Sequence, residues 1–166
     1  MKKLSVLLIA LFGMGQATFA QKPMASPAES VSGKINGATI TINYGSPSVK
    51  GREIWGKLVP FNKVWRAGAN DATTVETDKD LMVEGSKLPA GKYSFFIIPD
   101  EKGCVVIFNK VAKQWGAYDY KEKEDQLRVK VSPKAKTDIT EKLLFEISKN
   151  EVALMWEKWT IGFTVK

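Results

Sequence analysis

Histidine is absent from this chain of 166 residues, and cysteine occurs once, at position 104. Without histidine, the chain cannot form a Ser-His-Asp triad, a Cys-His dyad or a histidine-ligated metal site. A single thiol also excludes an internal disulfide. Because Cys104 begins the apolar run Cys104–Phe108, we expect it to be a buried core residue rather than a nucleophile.

Runs of like charge and nucleotide-binding glycine motifs are also missing. The 25 Lys and Arg residues and 18 Asp and Glu residues are dispersed along the chain, which predicts a solvated surface and no nucleic-acid partner. The spacing of the acidic residues fits no calcium loop, and no glycine pattern fits a dinucleotide or phosphate cradle. We therefore predict neither a cofactor nor a bound metal.

The first 20 residues have the pattern of a secretion signal. Lys2 and Lys3 precede the apolar run Leu4–Phe12, and Thr18 and Ala20 are small residues where a signal peptidase would read them. Cleavage is predicted after Ala20. Because no later stretch is apolar enough to span a bilayer, we expect a soluble periplasmic or secreted protein without a membrane span.

The rest of the chain has the composition of one globular domain. Hydrophobic residues make up 44% of the sequence and charged residues 26%, which are ordinary values. A chain of this size buries enough surface to fold without metals or disulfides. We predict a flexible segment over residues 21–29 and a single domain over residues 30–166.

Hydrophobic alternation with a period of two predicts an all-β fold. Ile40, Ile42 and Tyr44 alternate with polar residues, and the same pattern recurs around Val129 and over Trp159–Val165. No long window has the pattern of an amphipathic helix. We predict a two-sheet antiparallel β-sandwich of about nine strands, in preference to a closed barrel.

Three hairpins are predicted within this fold. The strongest signal is Asn36–Gly37, because a type I′ turn requires positive φ at both central residues. The other hairpins join Tyr93–Ile98 to Cys104–Phe108 and Leu143–Ser148 to Val152–Trp156, and a separate final strand is predicted from Trp159.

Two long segments, Ser46–Asp71 and Gln114–Asp125, resist assignment as strands. Ordered loops of this length are commonly functional, and the two segments are rich in aromatic residues. If they meet at one end of the sandwich, they would form an aromatic-lined concavity suited to a small anionic ligand or an envelope glycan. The candidate ligand-binding residues are Trp65, Arg66, Asn70, Trp115 and Tyr120.

A structural interpretation of the same residues is equally concrete. Trp65 would fill the edge of the core, Arg66 would pair with a carboxylate, and Asn70 would cap a turn. The aromatic residues of the two loops would then form a hydrophobic cluster that seals them against the sheets.

Catalysis without histidine would depend on carboxylates. The candidates are Asp71, Asp125 and Glu157, since a pair of carboxylates about 5–9 Å apart suffices for glycoside hydrolysis. An ion pair between Asp125 and Arg128 would explain both residues without any chemistry.

Several motifs resemble one known family. Ser46–Pro47, Gly51–Arg52, Leu58–Pro60 and Trp65–Thr73 resemble the Ser-Pro, Gly-Arg, Leu-Val-Pro and Trp-Arg-x-Gly-Ala-Asn-x-Ala-Thr motifs of the bacterial family called domain of unknown function 2911. The resemblance extends over nearly the whole predicted mature chain. It implies a single domain and carries no established activity or catalytic residues.

Three functions are therefore open at this point. The sequence favours an exported module that binds a small ligand or glycan without catalysis. The alternatives are a carboxylate-dependent hydrolase and a structural or assembly protein of the envelope.

Overall fold

The computed structural model describes residues 25–166, so the predicted signal segment and its cleavage point lie outside the described residues. The first strand begins at Ala28, so it includes the last two residues of the segment 21–29 that the sequence predicts to be flexible. Just before it, the carbonyl oxygen of Pro27 accepts a hydrogen bond of 2.8 Å from the Ser46 N–H. The chain is therefore tied to the domain ahead of residue 30.

The fold is all-β and antiparallel, as predicted. Within residues 25–166, no helix is long and apolar enough to cross a membrane. The strands are β1 (Ala28–Ile35), β2 (Ala38–Gly45), β3 (Thr73–Thr77), β4 (Leu81–Val83), β5 (Ser86–Leu88), β6 (Gly91–Ile98), β7 (Cys104–Asn109), β8 (Asp125–Val131), β9 (Lys134–Ile147) and β10 (Glu151–Thr164), with a 3-10 turn at Glu122–Glu124.

Six strands form the main sheet, in the order β1-β2-β3-β6-β7-β8, and β9 and β10 form a long hairpin that packs on one of its faces. We call this the inner face and its opposite the outer face. Between the layers, the Phe95 ring lies 5.8 Å from Phe145, and the Phe108 ring lies 5.8 Å from Phe163. The predicted buried position of Cys104 in this core is confirmed.

The three predicted hairpins are confirmed. Asn36 and Gly37 have φ values of 49° and 77°, as a type I′ turn between β1 and β2 requires. β6 pairs with β7 through Ile98 and Val105, and β9 pairs with β10 around a turn closed by Ser148.

The predicted separate strand from Trp159 is instead the second half of β10. The buried positions change phase within that strand, from Val152, Leu154 and Trp156 to Ile161 and Phe163. A bulge causes this change, because Glu157 has φ of 54° and the register with β9 shifts on both sides of it. In the sequence, a change in the phase of the hydrophobic alternation resembles the end of one strand and the start of another.

Candidate functional site

A row of polar side chains crosses the outer face of the main sheet. Neighbouring strands are in register there, and paired residues of antiparallel strands carry their side chains on the same face. We call it the polar row, and from β1 to β8 it consists of Ser30, Asn43, Thr74, Ser94, Asn109 and Asp125.

Gln114 covers the centre of this row. Its side-chain Nε2, an amide nitrogen with two hydrogens, lies within hydrogen-bond distance of three oxygens, at 3.0 Å from Ser94 Oγ, 3.2 Å from Asn109 Oδ1 and 2.9 Å from the Val111 carbonyl. Gln114 is only 5% exposed, yet its Oε1 accepts no hydrogen bond from any residue between 25 and 166. A buried acceptor without a donor is unusual and calls for a partner.

Asp125 closes the β8 end of the row. Its carboxylate accepts hydrogen bonds from the Tyr120 hydroxyl at 2.7 Å and from Asn109 Nδ2 at 2.8 Å, and Arg128 lies 3.3 Å away. Burial, together with the hydrogen bond to Asp125, raises the pKa of Tyr120 above its ordinary value. The predicted ion pair between Asp125 and Arg128 is therefore present, and the candidate residues Tyr120 and Asp125 bind one another.

A cavity of about 700 Å3 lies at the opposite end of the row. Ser30, Asn43 and Thr74 of the polar row border it, and so does Gln114, which contacts Ser94 and Asn109. The rest of its wall comes from the ends of β1 and β2, from the first long segment, from β6 and from the residues just before Gln114, and it includes Glu29, Tyr44, Asn70, Asp71, Lys92 and Lys113.

The two long segments meet beside this cavity, but it is not the aromatic-lined concavity that the sequence suggested, since the tryptophans and tyrosines of these segments do not border it. The Ala72 N–H donates a hydrogen bond of 2.9 Å to the Gln114 carbonyl, and the Gly116 N–H donates one of 3.2 Å to the Asn70 carbonyl. Between these two bonds, Asp71 forms a bridge with Trp115. The second segment is thus held over the outer face by backbone pairing with the first.

Trp65 does not border the cavity. Its backbone pairs with Ile97 of β6, and its side chain faces the inner core, where its ring stacks on Trp156 at 5.9 Å. Trp55 contacts both rings and also stacks on Trp159 at 4.6 Å. The structural interpretation of Trp65, as a residue at the edge of the core, describes this arrangement.

Arg66 lies close to the second long segment. Its Nη1 is 3.8 Å from the position that a Cβ atom on Gly116 would occupy. Its Nε is buried and has no hydrogen-bond partner among the described residues. The Tyr118 ring packs against Gly116, which has φ of 64°. Trp115, beside this glycine, is 61% exposed.

The other candidate residues are spread over the fold. Asn70 has φ of 63° and donates from Nδ2 to the Ser26 carbonyl at 3.1 Å, which fixes the N-terminal chain to the cavity wall. Asp71 is exposed on that wall. Glu157 lies in the bulge of β10, where its Oε2 accepts a hydrogen bond from the Lys158 N–H.

Of the three candidate catalytic carboxylates, only Asp71 borders the cavity. Asp125 is engaged with Tyr120 and Arg128, and Glu157 belongs to the other layer of the sandwich. Within the described part of the chain, no group of three Cys, Asp or Glu side chains is placed to hold a metal ion.

The comparison with protein families gives one clear result. The profile of the family described as "protein of unknown function (DUF2911)" matches residues 26–165. This chain belongs to that family. Comparison of the DUF2911 chain with curated proteins and with solved structures finds no match to either. The match begins just ahead of β1 and ends just past β10, so the DUF2911 domain includes both layers of the sandwich and both long segments.

Sequence reasoning missed the polar row and Gln114. The row exists only through the strand order, which places residues from six strands side by side. A local signal was nevertheless present, because Ser94 interrupts the apolar run Tyr93–Ile98 and Asn109 ends the run Cys104–Phe108. Polar residues in or next to central strands need hydrogen-bond partners, and here Gln114 supplies them.

Proposed function

We propose that this DUF2911 protein is an exported, non-catalytic module that binds a small ligand in the outer-face cavity. The observation that carries the proposal is the cavity of about 700 Å3, which is bordered by Ser30, Asn43 and Thr74, three polar side chains without hydrogen-bond partners among the described residues. Ligand pockets of this size, with a few convergent polar groups, are typical of small-molecule sites.

The wall chemistry supports binding better than catalysis. The cavity wall is mostly apolar, and its polar groups are hydroxyls, amides and charges that orient a ligand through hydrogen bonds. The polar row also gives the site a rigid floor, since its side chains come from paired strands rather than from loops.

A thermal-shift screen of the purified protein tests this proposal. The probes are glucose, N-acetylglucosamine, N-acetylmuramate, glucuronate, citrate and inorganic phosphate. A probe at 100 times its dissociation constant stabilises the folded state by about 2.7 kcal/mol, which raises the melting temperature by a few degrees. If no probe of this set raises it, the proposal is contradicted.

Two variants locate the binding site. Thr74→Val removes a hydroxyl from the cavity wall without changing side-chain size, and we expect it to weaken binding. Thr41→Val is the matched control, because Thr41 lies on the same face of the sheet as Thr74 but does not border the cavity. Equal effects of the two variants would place the site elsewhere.

Export is tested separately by the mass of the purified protein's N-terminal peptide. Cleavage after Ala20 leaves Gln21 as the first residue. A purified protein that still begins with Met1 would contradict export through this signal.

A further inference from the structure

The charges around the cavity decide which ligand it accepts. Two carboxylates, Glu29 and Asp71, border it, and neither has an ion-pair partner within residues 25–166. Of the two bordering lysines, Lys92 lies 3.3 Å from the carboxylate of Glu76, whereas Lys113 has no acidic partner in the described chain. The uncompensated charges are therefore two negative and one positive, a balance that disfavours an anion.

The neutral groups of the wall are available to a ligand. Among the described residues, the side chains of Ser30, Asn43 and Thr74 make no hydrogen bond, although all three border the cavity. A hydroxyl or a carboxamide can both donate and accept, so these groups suit a partner with the same dual capacity. A sugar hydroxyl has this property, whereas a carboxylate only accepts.

The hydrogen-bond chain of the polar row fixes the orientation of Gln114. The Asp125 carboxylate can only accept hydrogen bonds, so the Asn109 amide must present its Nδ2 to Asp125. The Asn109 Oδ1 then lies on the other side and faces Gln114 Nε2. Two backbone groups favour the same orientation of the Asn109 amide. Asn109 Nδ2 donates to the Lys121 carbonyl at 3.0 Å, and Asn109 Oδ1 accepts from the Val111 N–H at 3.1 Å. Gln114 Oε1 is left as the unpartnered atom, and it lies buried beneath the cavity wall.

From the charges and the neutral groups of the wall we infer that the ligand is a neutral, hydroxyl-rich sugar and not a small anion. The inference rests on the proposed function, since it names the chemical class of ligand for the same cavity. The wall carboxylates accept hydrogen bonds from sugar hydroxyls, and the hydroxyls of Ser30 and Thr74 donate to sugar oxygens. An acidic sugar would place its carboxylate near Glu29 or Asp71.

Pairs of sugars that differ only by an acidic group test this inference. We would titrate glucose against glucuronate, galactose against galacturonate, and N-acetylglucosamine against N-acetylmuramate by ligand-observed NMR. We expect the neutral member of a pair to bind about tenfold more tightly at low salt and the difference to shrink as salt is added. Equal or tighter binding of the acidic member would overturn the inference.

The outcomes separate the two proposals. If citrate, phosphate or an acidic sugar binds in the cavity and neutral sugars do not, the ligand class is wrong but the binding function stands. If neither anions nor sugars bind to the wild-type protein, the proposed function fails, and the inference fails with it.

A charge-neutralising variant provides an independent check. Replacing Glu29→Gln and Asp71→Asn together removes both wall carboxylates while preserving side-chain size, so we expect the preference for neutral sugars to disappear. Asp138→Asn is the control, because Asp138 is an exposed carboxylate on β9 that does not border the cavity. A preference that survives the double substitution would contradict the role of these charges. Unchanged melting temperatures would show that the variants remain folded.

Discussion

Asn109 Nδ2 lies 2.8 Å from Asp125 Oδ1, and this hydrogen bond joins the last two strands of the polar row. Asn109 is fully buried, and the side chain of Asp125 is only 6% exposed. A carboxylate at the rim of the sheet thus holds a buried amide, and that amide in turn holds Gln114 beside the cavity.

Asp125→Ala should destabilise the protein by about 1–3 kcal/mol, because it leaves the Tyr120 hydroxyl without its acceptor and Asn109 Nδ2 with only one of its two. Urea unfolding measures the change. Glu122→Ala is the control, since Glu122 is an exposed partner of Arg128 and its loss should change the free energy of unfolding by less than about 1 kcal/mol. Equal losses would mean that only the ion pairs to Arg128 matter.

Stability at alkaline pH should depend on Tyr120. Its pKa is raised in the folded state, so its contribution is complete below the unfolded value near 10 and is lost as pH rises through the folded value. Tyr120→Phe cannot ionise, so the variant should lose less stability than the wild type between about pH 9 and 11. Parallel pH profiles from chemical denaturation would contradict this expectation.

Trp65 and Trp115 should respond differently to replacement by alanine. Trp65→Ala removes a ring that stacks on Trp156 in the core, and we expect a loss of about 3 kcal/mol. Trp115 is 61% exposed, so Trp115→Ala should change stability by less than about 0.5 kcal/mol. Comparable losses in urea unfolding would show that the exposed tryptophan is also structural.

Gly45→Ala should disrupt the cavity wall. A Cβ at Gly45 would overlap the carbonyl oxygen of Ala69, and the two residues also share a backbone hydrogen bond of 3.2 Å. Overpacking of this kind costs about 1–3 kcal/mol, which thermal or urea unfolding would detect. Gly103→Ala serves as the control, because its nearest contact would be an ordinary 3.7 Å to the Val131 carbonyl. A neutral Gly45→Ala would show that the Ala69 segment moves freely.

Cys104 should react slowly with a thiol reagent in the folded protein and rapidly after unfolding. It is fully buried in β7, and burial raises the pKa of its thiol, which suppresses the reactive thiolate. Ser86→Cys adds an exposed thiol in the same chain as an internal control, so that variant should show one fast and one slow equivalent. Two fast equivalents would contradict the buried position.

Local patterns were enough to predict much of the fold. The alternation of Ile40, Ile42 and Tyr44 identified β2, and Asn36–Gly37 identified its turn, because both signals depend on residues close together in the chain. The bulge at Glu157 was missed since no sequence motif marks it.

The candidate site was only partly predictable. Asn70 and Asp71 do border the cavity, and the meeting of the two long segments was anticipated. Whether Trp65 faced a ligand or the core depended on its pairing with Ile97, which is remote in sequence.

The sequence by itself determined the absence of histidine chemistry, the all-β class and the family, because these follow from composition, alternation and motifs. Only the tertiary structure decided where Gln114 lies and what its amide contacts. Strand order brings Ser94 and Asn109 to neighbouring positions, and the covering segment then places Gln114 on both. A hydrogen bond needs atoms about 3 Å apart, and only the folded chain specifies which distant residues come that close.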